Sequence, residues 1–197
     1  MKAVLLDLLM ATMDSISVWA RAVGDREAGL AWRDAVTDRM LEAGRYVPYD
    51  ALLTEAAAAV RIDPNAVARL QAAWMEMEPW PDVAALDRLA VPYAFVTNCS
   101  IDLAAAAVAR SGLRPAFTIS AEEAGWYKPR PEIYRLAVSR IGGEPHEIGF
   151  VAGASYDALG AHAVGLRARL ISRRASAAAV PDAIPIFASL DEALAVP

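Results

Sequence analysis

The chain opens MKAVLLDLLMATMD, and within that stretch Asp7 restricts the fold more than any other residue. It is an acid between Leu6 and Leu8, inside an apolar run. A buried carboxylate without a partner is strongly unfavourable or changes its protonation state. Its placement therefore predicts a strand that ends there, with the carboxylate just past the carboxyl edge of a parallel sheet, where open α/β folds put their ligands. Residues 3–8 read as that strand, because a continuous Ala-Val-Leu-Leu run without polar alternation suits a central, fully buried position.

From Ser15 to about Met77 the pattern is helical. Ser15 to Val23 carries Ile16, Trp19 and Ala20 at i, i+3, i+4 spacing and stops at Gly24-Asp25. Glu27 to Gly44 is a second helix and Pro48 to Val60 a third. Asp63-Pro64 begins a fourth, with proline at the first helical position. Glu78-Pro79-Trp80-Pro81 breaks that pattern and reads as a return hinge. After a short helix at 82–89, strands at 91–98, 115–120, 148–152 and 166–172 alternate with helices at 102–111, 131–141, 158–164 and 189–195. Such alternation implies right-handed crossovers and a parallel sheet. The expected architecture is α/β: a doubly wound, Rossmann-like core of residues 1–14 and 82–197, with a helical cap of residues 15–81 inserted after the first strand.

Composition removes several function classes. The formal net charge is −5, and no segment offers the basic patch that nucleic acid needs. No apolar run reaches the ~20 residues of a membrane-spanning helix. The single cysteine, Cys99, excludes an internal disulfide and fits a reducing compartment. Asp7 interrupts the N-terminal apolar run before a signal sequence could form, so a cytoplasmic location is expected. With only His146 and His162, a zinc site or a histidine-based triad is not expected.

The expected strands deliver polar residues to one edge of the sheet: Asp7 after the first, Thr97 and Asn98 after the second, Lys128 in the loop after the third, and Asp157 after the fourth. An aspartate can attack an electrophilic centre and form a covalent ester. A neighbouring lysine would keep it ionised and offset charge on the intermediate. Thr97 and Asn98 offer a hydroxyl and an amide for a substrate carboxylate or leaving group, and Asp157 an acid to orient Lys128 or a water. Cys99 has no nearby histidine to activate it and reads as packing.

In this order, the segments LLDLLMATMD, VTNCS, KPRPEIY and GFVAGASYDALGA resemble the haloacid dehalogenase superfamily, and within it the 2-haloacid dehalogenase branch, over nearly the whole chain. The resemblance implies an Asp7 nucleophile that displaces a leaving group from C2 of a small 2-substituted carboxylate, with Lys128 and Asp157 as its catalytic partners. It implies substrate-binding roles for Arg33, Thr97, Asn98 and Tyr134, the arginine at the leaving group. It implies no cofactor. Magnesium would be needed only by the phosphatases of the superfamily, which carry a second aspartate where this chain has Leu9 and an acid where it has Gly153.

The chain also departs from the branch. Met10 and Ala11 stand where glycine and threonine are usual, with Thr12 one place late, and Ala152 and Ala154 replace a serine and an asparagine. These changes leave open a hydrolase that opens azetidine-2-carboxylate by the same attack and a binding protein without catalysis; a metal-dependent phosphatase, disfavoured by Leu9 and Gly153, is the further alternative. The expected partner is a small carboxylate; a homodimer is allowed by the tryptophan-rich helical segment.

Overall fold

The computed structural model describes residues 1–173 and 180–196. The expected core segment 82–197 therefore includes residues 174–179 and 197, which lie outside the described residues. Among the described residues, six strands form one parallel sheet in the order β3-β2-β1-β4-β5-β6: β1 (Ala3–Leu6), β2 (Tyr93–Thr97), β3 (Thr118–Ser120), β4 (Ile148–Ala152), β5 (Arg167–Ile171) and β6 (Ile186–Phe187). β1 is buried at every position and pairs with both β2 and β4, Leu6 lying opposite Phe95 and Val151. The chain runs outward from β1 to β3 on one side, then crosses back to build β4 to β6 on the other. The crevice at the carboxyl ends of β1 and β4 is the topological switch point of a doubly wound sheet.

Four α-helices lie between β1 and β2, α1 (Ser15–Val23), α2 (Arg26–Ala43), α3 (Tyr49–Ala59) and α4 (Asn65–Trp74), and the short helix expected at 82–89 follows them as a 3-10 helix, Pro81–Arg88. Their ends obey local signals. The Asp14 side chain accepts from Ser17 N–H at 3.1 Å and opens α1, and Gly24, at φ +83°, closes it. α1 and α2 cross closely at Gly29, where a Cβ would lie 2.7 Å from the Trp19 carbonyl oxygen. Trp19 meets Trp32 edge-on at 5.0 Å, and the buried Trp32 indole donates to the Leu53 carbonyl, tying α2 to α3. The segment leaving the sheet runs beside the segment returning to it. Met13 and Pro79 form an antiparallel bridge, Asp14 N–H donates to the Glu78 carbonyl, and Trp80 N–H donates to that of Thr12.

The remaining helices are α5 (Ile101–Ser111), α6 (Ala121–Ala124), α7 (Pro131–Ile141), α8 (Ser155–Ala163) and α9 (Leu190–Ala195). Several bounds differ from the sequence reading. The first strand ends at Leu6, because Asp7 caps a separate turn. The strands expected at 91–98 and 115–120 are shorter, each beginning beyond a proline that cannot donate to the ladder. The helix expected at 158–164 starts at Ser155, which puts Asp157 in its first turn, where the helix dipole favours a carboxylate. The short α6 and the two-residue β6 carry no periodic signal of their own. Among the described residues, no helix is long and apolar enough to cross a membrane.

Candidate active site

Asp7 leaves β1 and immediately opens a π-helical turn, Leu8–Thr12, whose wide ring is closed by Met13 N–H donating to the Leu8 carbonyl at 3.2 Å. One Asp7 oxygen, Oδ2, accepts from Met10 N–H at 3.0 Å. Thr12 turns back to the Leu8 carbonyl at 2.6 Å, so its hydroxyl supports the turn and not the carboxylate.

The other oxygen, Oδ1, accepts from Lys128 Nζ at 2.8 Å. The same ammonium donates to Asp157 Oδ2 at 2.6 Å and to the Val96 carbonyl at 2.8 Å, three acceptors for its three protons. Lys128 is 1% exposed and Asp7 6%. Burial alone would lower the lysine's proton affinity, but Asp157 and Asp7 outweigh it and hold the ammonium above the usual lysine range. The loop carrying Lys128 is fixed from both sides. Asn98 Oδ1 accepts from Lys128 N–H at 2.7 Å and Asn98 Nδ2 donates to the Lys128 carbonyl at 3.1 Å. Beside it, Tyr127 N–H donates to the Gly44 carbonyl and the Tyr127 hydroxyl to that of Val47, straps to the α2–α3 connection.

Asp157 completes a buried chain. Its Oδ1 accepts from the Tyr134 hydroxyl at 2.7 Å. Burial pushes the Asp157 carboxyl up to about 6; Lys128 opposes the shift and the Asp7 charge adds to it. Tyr134 is held well above the usual tyrosine range, by burial and by Asp157, and so acts as a neutral donor.

A cavity of about 50 Å³ opens in front of Asp7, room for a few waters or the body of a small organic acid. Its lining combines the polar side chains of Asp7, Arg33, Thr97 and Asn98 with the apolar and aromatic side chains of Met10, Trp19, Met40, Tyr49 and Trp74. The largely buried Arg33 guanidinium reaches the cavity from α2, with Nη2 2.6 Å from Met10 Sδ and Nη1 on Asp34 at 2.8 Å.

The structure thus joins Asp7, Lys128, Asp157 and Tyr134 by direct hydrogen bonds and brings Arg33, Thr97 and Asn98 to the same cavity. Lys128, Asp157 and Tyr134 stand behind Asp7, away from the cavity lining, so the Tyr134 hydroxyl meets Asp157 where the sequence suggested a substrate contact. Tyr156, next to Asp157 in the chain, also lines the cavity, and burial raises its hydroxyl to about 12. Met10 drew notice in the sequence only as a departure from the first motif, and Tyr49 carried no signal for the site; both line the cavity. Cys99 is buried behind Thr97 with its thiol pushed up to about 12 by burial, so it stays protonated.

The residues do not fit a magnesium site of the phosphatase kind. A Cβ at Gly153, where the second acid would stand, would collide with Met10 Cβ and lie 2.7 Å from Ala11 N. The Lys128 ammonium already stands between the two carboxylates. Among the described residues, no group of three or more His, Cys, Asp or Glu side chains is placed to hold a metal ion.

Residues 10–165 match the family model of the haloacid dehalogenase-like hydrolases. The chain belongs to that family. The match begins three residues after Asp7, so the hydrogen bonds around that residue, and not the match, carry the case for it. This haloacid dehalogenase-like hydrolase is 33% identical over 112 residues to (S)-2-haloacid dehalogenase 4A of Burkholderia cepacia, covering 54% of this chain and 48% of that one. It is 30% identical over 140 residues to the (S)-2-haloacid dehalogenase of Xanthobacter autotrophicus, covering 66% and 55%. The chain spans about half the length of the curated relatives it matches. Its fold superimposes with a TM-score of 0.77 and 27% identity on the L-2-haloacid dehalogenase of Xanthobacter autotrophicus with chloropropionic acid covalently bound, over 89% of this chain and 79% of that one.

Proposed function

We propose that the protein is a hydrolase in which Asp7 displaces a leaving group, halide in the leading case, from C2 of a small 2-substituted carboxylate. A carboxylate oxygen of Asp7 forms the new bond to C2 as the carbon–halogen bond breaks, the halide carrying away the electron pair. Water then adds to Cγ of the resulting ester and releases the 2-hydroxy acid, regenerating Asp7.

The observation that carries this reading is the Asp7 carboxylate itself. It faces the cavity while Lys128 and the Met10 amide, on its protein side, hold one oxygen each and orient it. Lys128 would also offset the charge that develops when water adds to the ester. Asp157 and Tyr134 hold Lys128 in place. Arg33 is a permanent cation on the cavity and suits a departing anion, and Thr97 and Asn98 suit the substrate carboxylate. Halide leaves without protonation, so Leu9, in the place of a general acid, is no obstacle and no metal is required.

Residues 15–81 are proposed as a cap over a core of residues 1–14 and 82–197, keeping bulk water out during the first displacement. The test is halide and hydroxy-acid release from (S)- and (R)-2-chloropropionate, by wild type and by Asp7→Asn. Release by the wild type and none by a folded Asp7→Asn is the expected result. Halide release retained by the variant, or hydrolysis of p-nitrophenyl phosphate with no turnover of 2-halo acids, would overturn the proposal.

A further inference from the structure

Arg173 lies just beyond β5 at the carboxyl edge of the sheet, 162 residues from the π turn it touches. Its side chain is 8% exposed, and its guanidinium makes a fork on Asp82, Nη1 to Oδ2 and Nη2 to Oδ1, both at 2.8 Å. Nη2 also donates to the Ala11 carbonyl at 2.7 Å, and the group lies over the Trp80 ring at 5.0 Å. Asp82 accepts in addition from Leu190 N–H at 2.7 Å.

These contacts gather around one point. Ala11 is in the turn that leaves Asp7, and Trp80 and Asp82 are in the segment that returns from the helices. The Ala11 carbonyl has a specific need for a partner. The chain becomes extended at Met13, and Ser15 N–H donates to the Met13 carbonyl, so the ladder of the turn does not continue back to Ala11. Ala11 is fully buried, where a carbonyl without a donor is unfavourable. The neighbouring residue, Met10, supplies the amide that holds Asp7 Oδ2.

We propose that Arg173 is a positioning residue for the nucleophile turn: by holding the Ala11 carbonyl against the Asp82–Trp80 return segment, it keeps the Met10 amide aimed at Asp7. Its effect on turnover rests on the reading of Asp7 as nucleophile; its effect on the turn does not. Lysine cannot reproduce the fork together with the third bond, because a point ammonium lacks the planar spread of donors.

The test compares wild type, Arg173→Lys and Arg173→Ala, with two readouts. Without substrate, hydrogen exchange of the peptide spanning Asp7 to Met13 is expected to quicken by about tenfold or more in both variants, with β4 amides unchanged. With (S)-2-chloropropionate, the single-turnover rate of ester formation is expected to fall about 100-fold in Arg173→Ala. KM should change little, and millimolar guanidinium should restore part of the rate. Arg173→Lys keeps a cation against Asp82 and carries both readouts if the alanine variant does not fold. Exchange and ester formation at wild-type levels would overturn the proposal, as would a slowing that guanidinium leaves untouched while exchange quickens across the whole sheet. Quickened exchange confined to the turn in the variants, together with a wild type that forms no ester, would sustain the positioning role and refute the nucleophile reading.

Discussion

The Lys128 ammonium lies 2.8 Å from Asp7 Oδ1 inside the protein, although 121 residues separate the two in sequence. Lys128 also bridges Asp7 to Asp157, so both carboxylates depend on it for burial.

Lys128→Met should therefore affect stability and activity by separable routes. Removing the cation strands two buried carboxylates, and a loss of about 3–5 kcal/mol in unfolding free energy is expected near neutral pH. The double variant Lys128→Met/Asp157→Asn should recover part of that stability in urea denaturation while halide release stays absent. Recovery of activity together with stability would show that the lysine is structural only.

The Asp157 carboxyl gives a pH dependence with two opposite signs. Burial raises it from 3.8 to about 6 in the folded protein, so between those values the fold binds the proton more tightly than the unfolded chain does. Its contribution to stability is present at low pH and is lost as pH rises through about 6. Relative to Asp157→Asn, the wild type should lose unfolding free energy between about pH 4 and about pH 7 in matched denaturation series. Turnover should do the reverse, rising through the same window as the carboxylate ionises and grips Lys128. Tyr134→Phe removes a hydrogen bond that lowers the Asp157 value, so the acid limb of the rate profile should move to higher pH.

Gly153→Asp tests the separation from metal-dependent phosphatases. The added Cβ would collide with Met10 Cβ, so the turn must shift and a loss of about 1–3 kcal/mol is expected. Thermal unfolding with and without magnesium, alongside a p-nitrophenyl phosphate assay, should show lowered stability and no magnesium-stimulated phosphatase activity. Stimulation by magnesium would mean that the site can accept the ion after all.

Much of this arrangement was legible in the chain because it depends on local rules. Helix ends were readable from Gly24, Gly112 and the Pro131 start, and parallel strands from apolar runs that finish in polar residues, which placed Asp7, Lys128 and Asp157 at one edge. The π turn was hidden because LLMAT has the same apolar composition as the strand before it. The direction of Tyr134 was hidden because helical periodicity gives a face and not a partner. Arg173 and Tyr49 carry no motif, and their roles exist only through packing against distant segments.

The most direct test of the Asp7 nucleophile is a single turnover of (S)-2-chloropropionate in water labelled with oxygen-18, with mass analysis of the peptide containing Asp7. Attack of water on the ester should leave one labelled oxygen in the Asp7 carboxylate and none in the hydroxyl of the product. Label in the product hydroxyl, with Asp7 unlabelled, would mean that water attacks the substrate directly and would contradict the covalent mechanism.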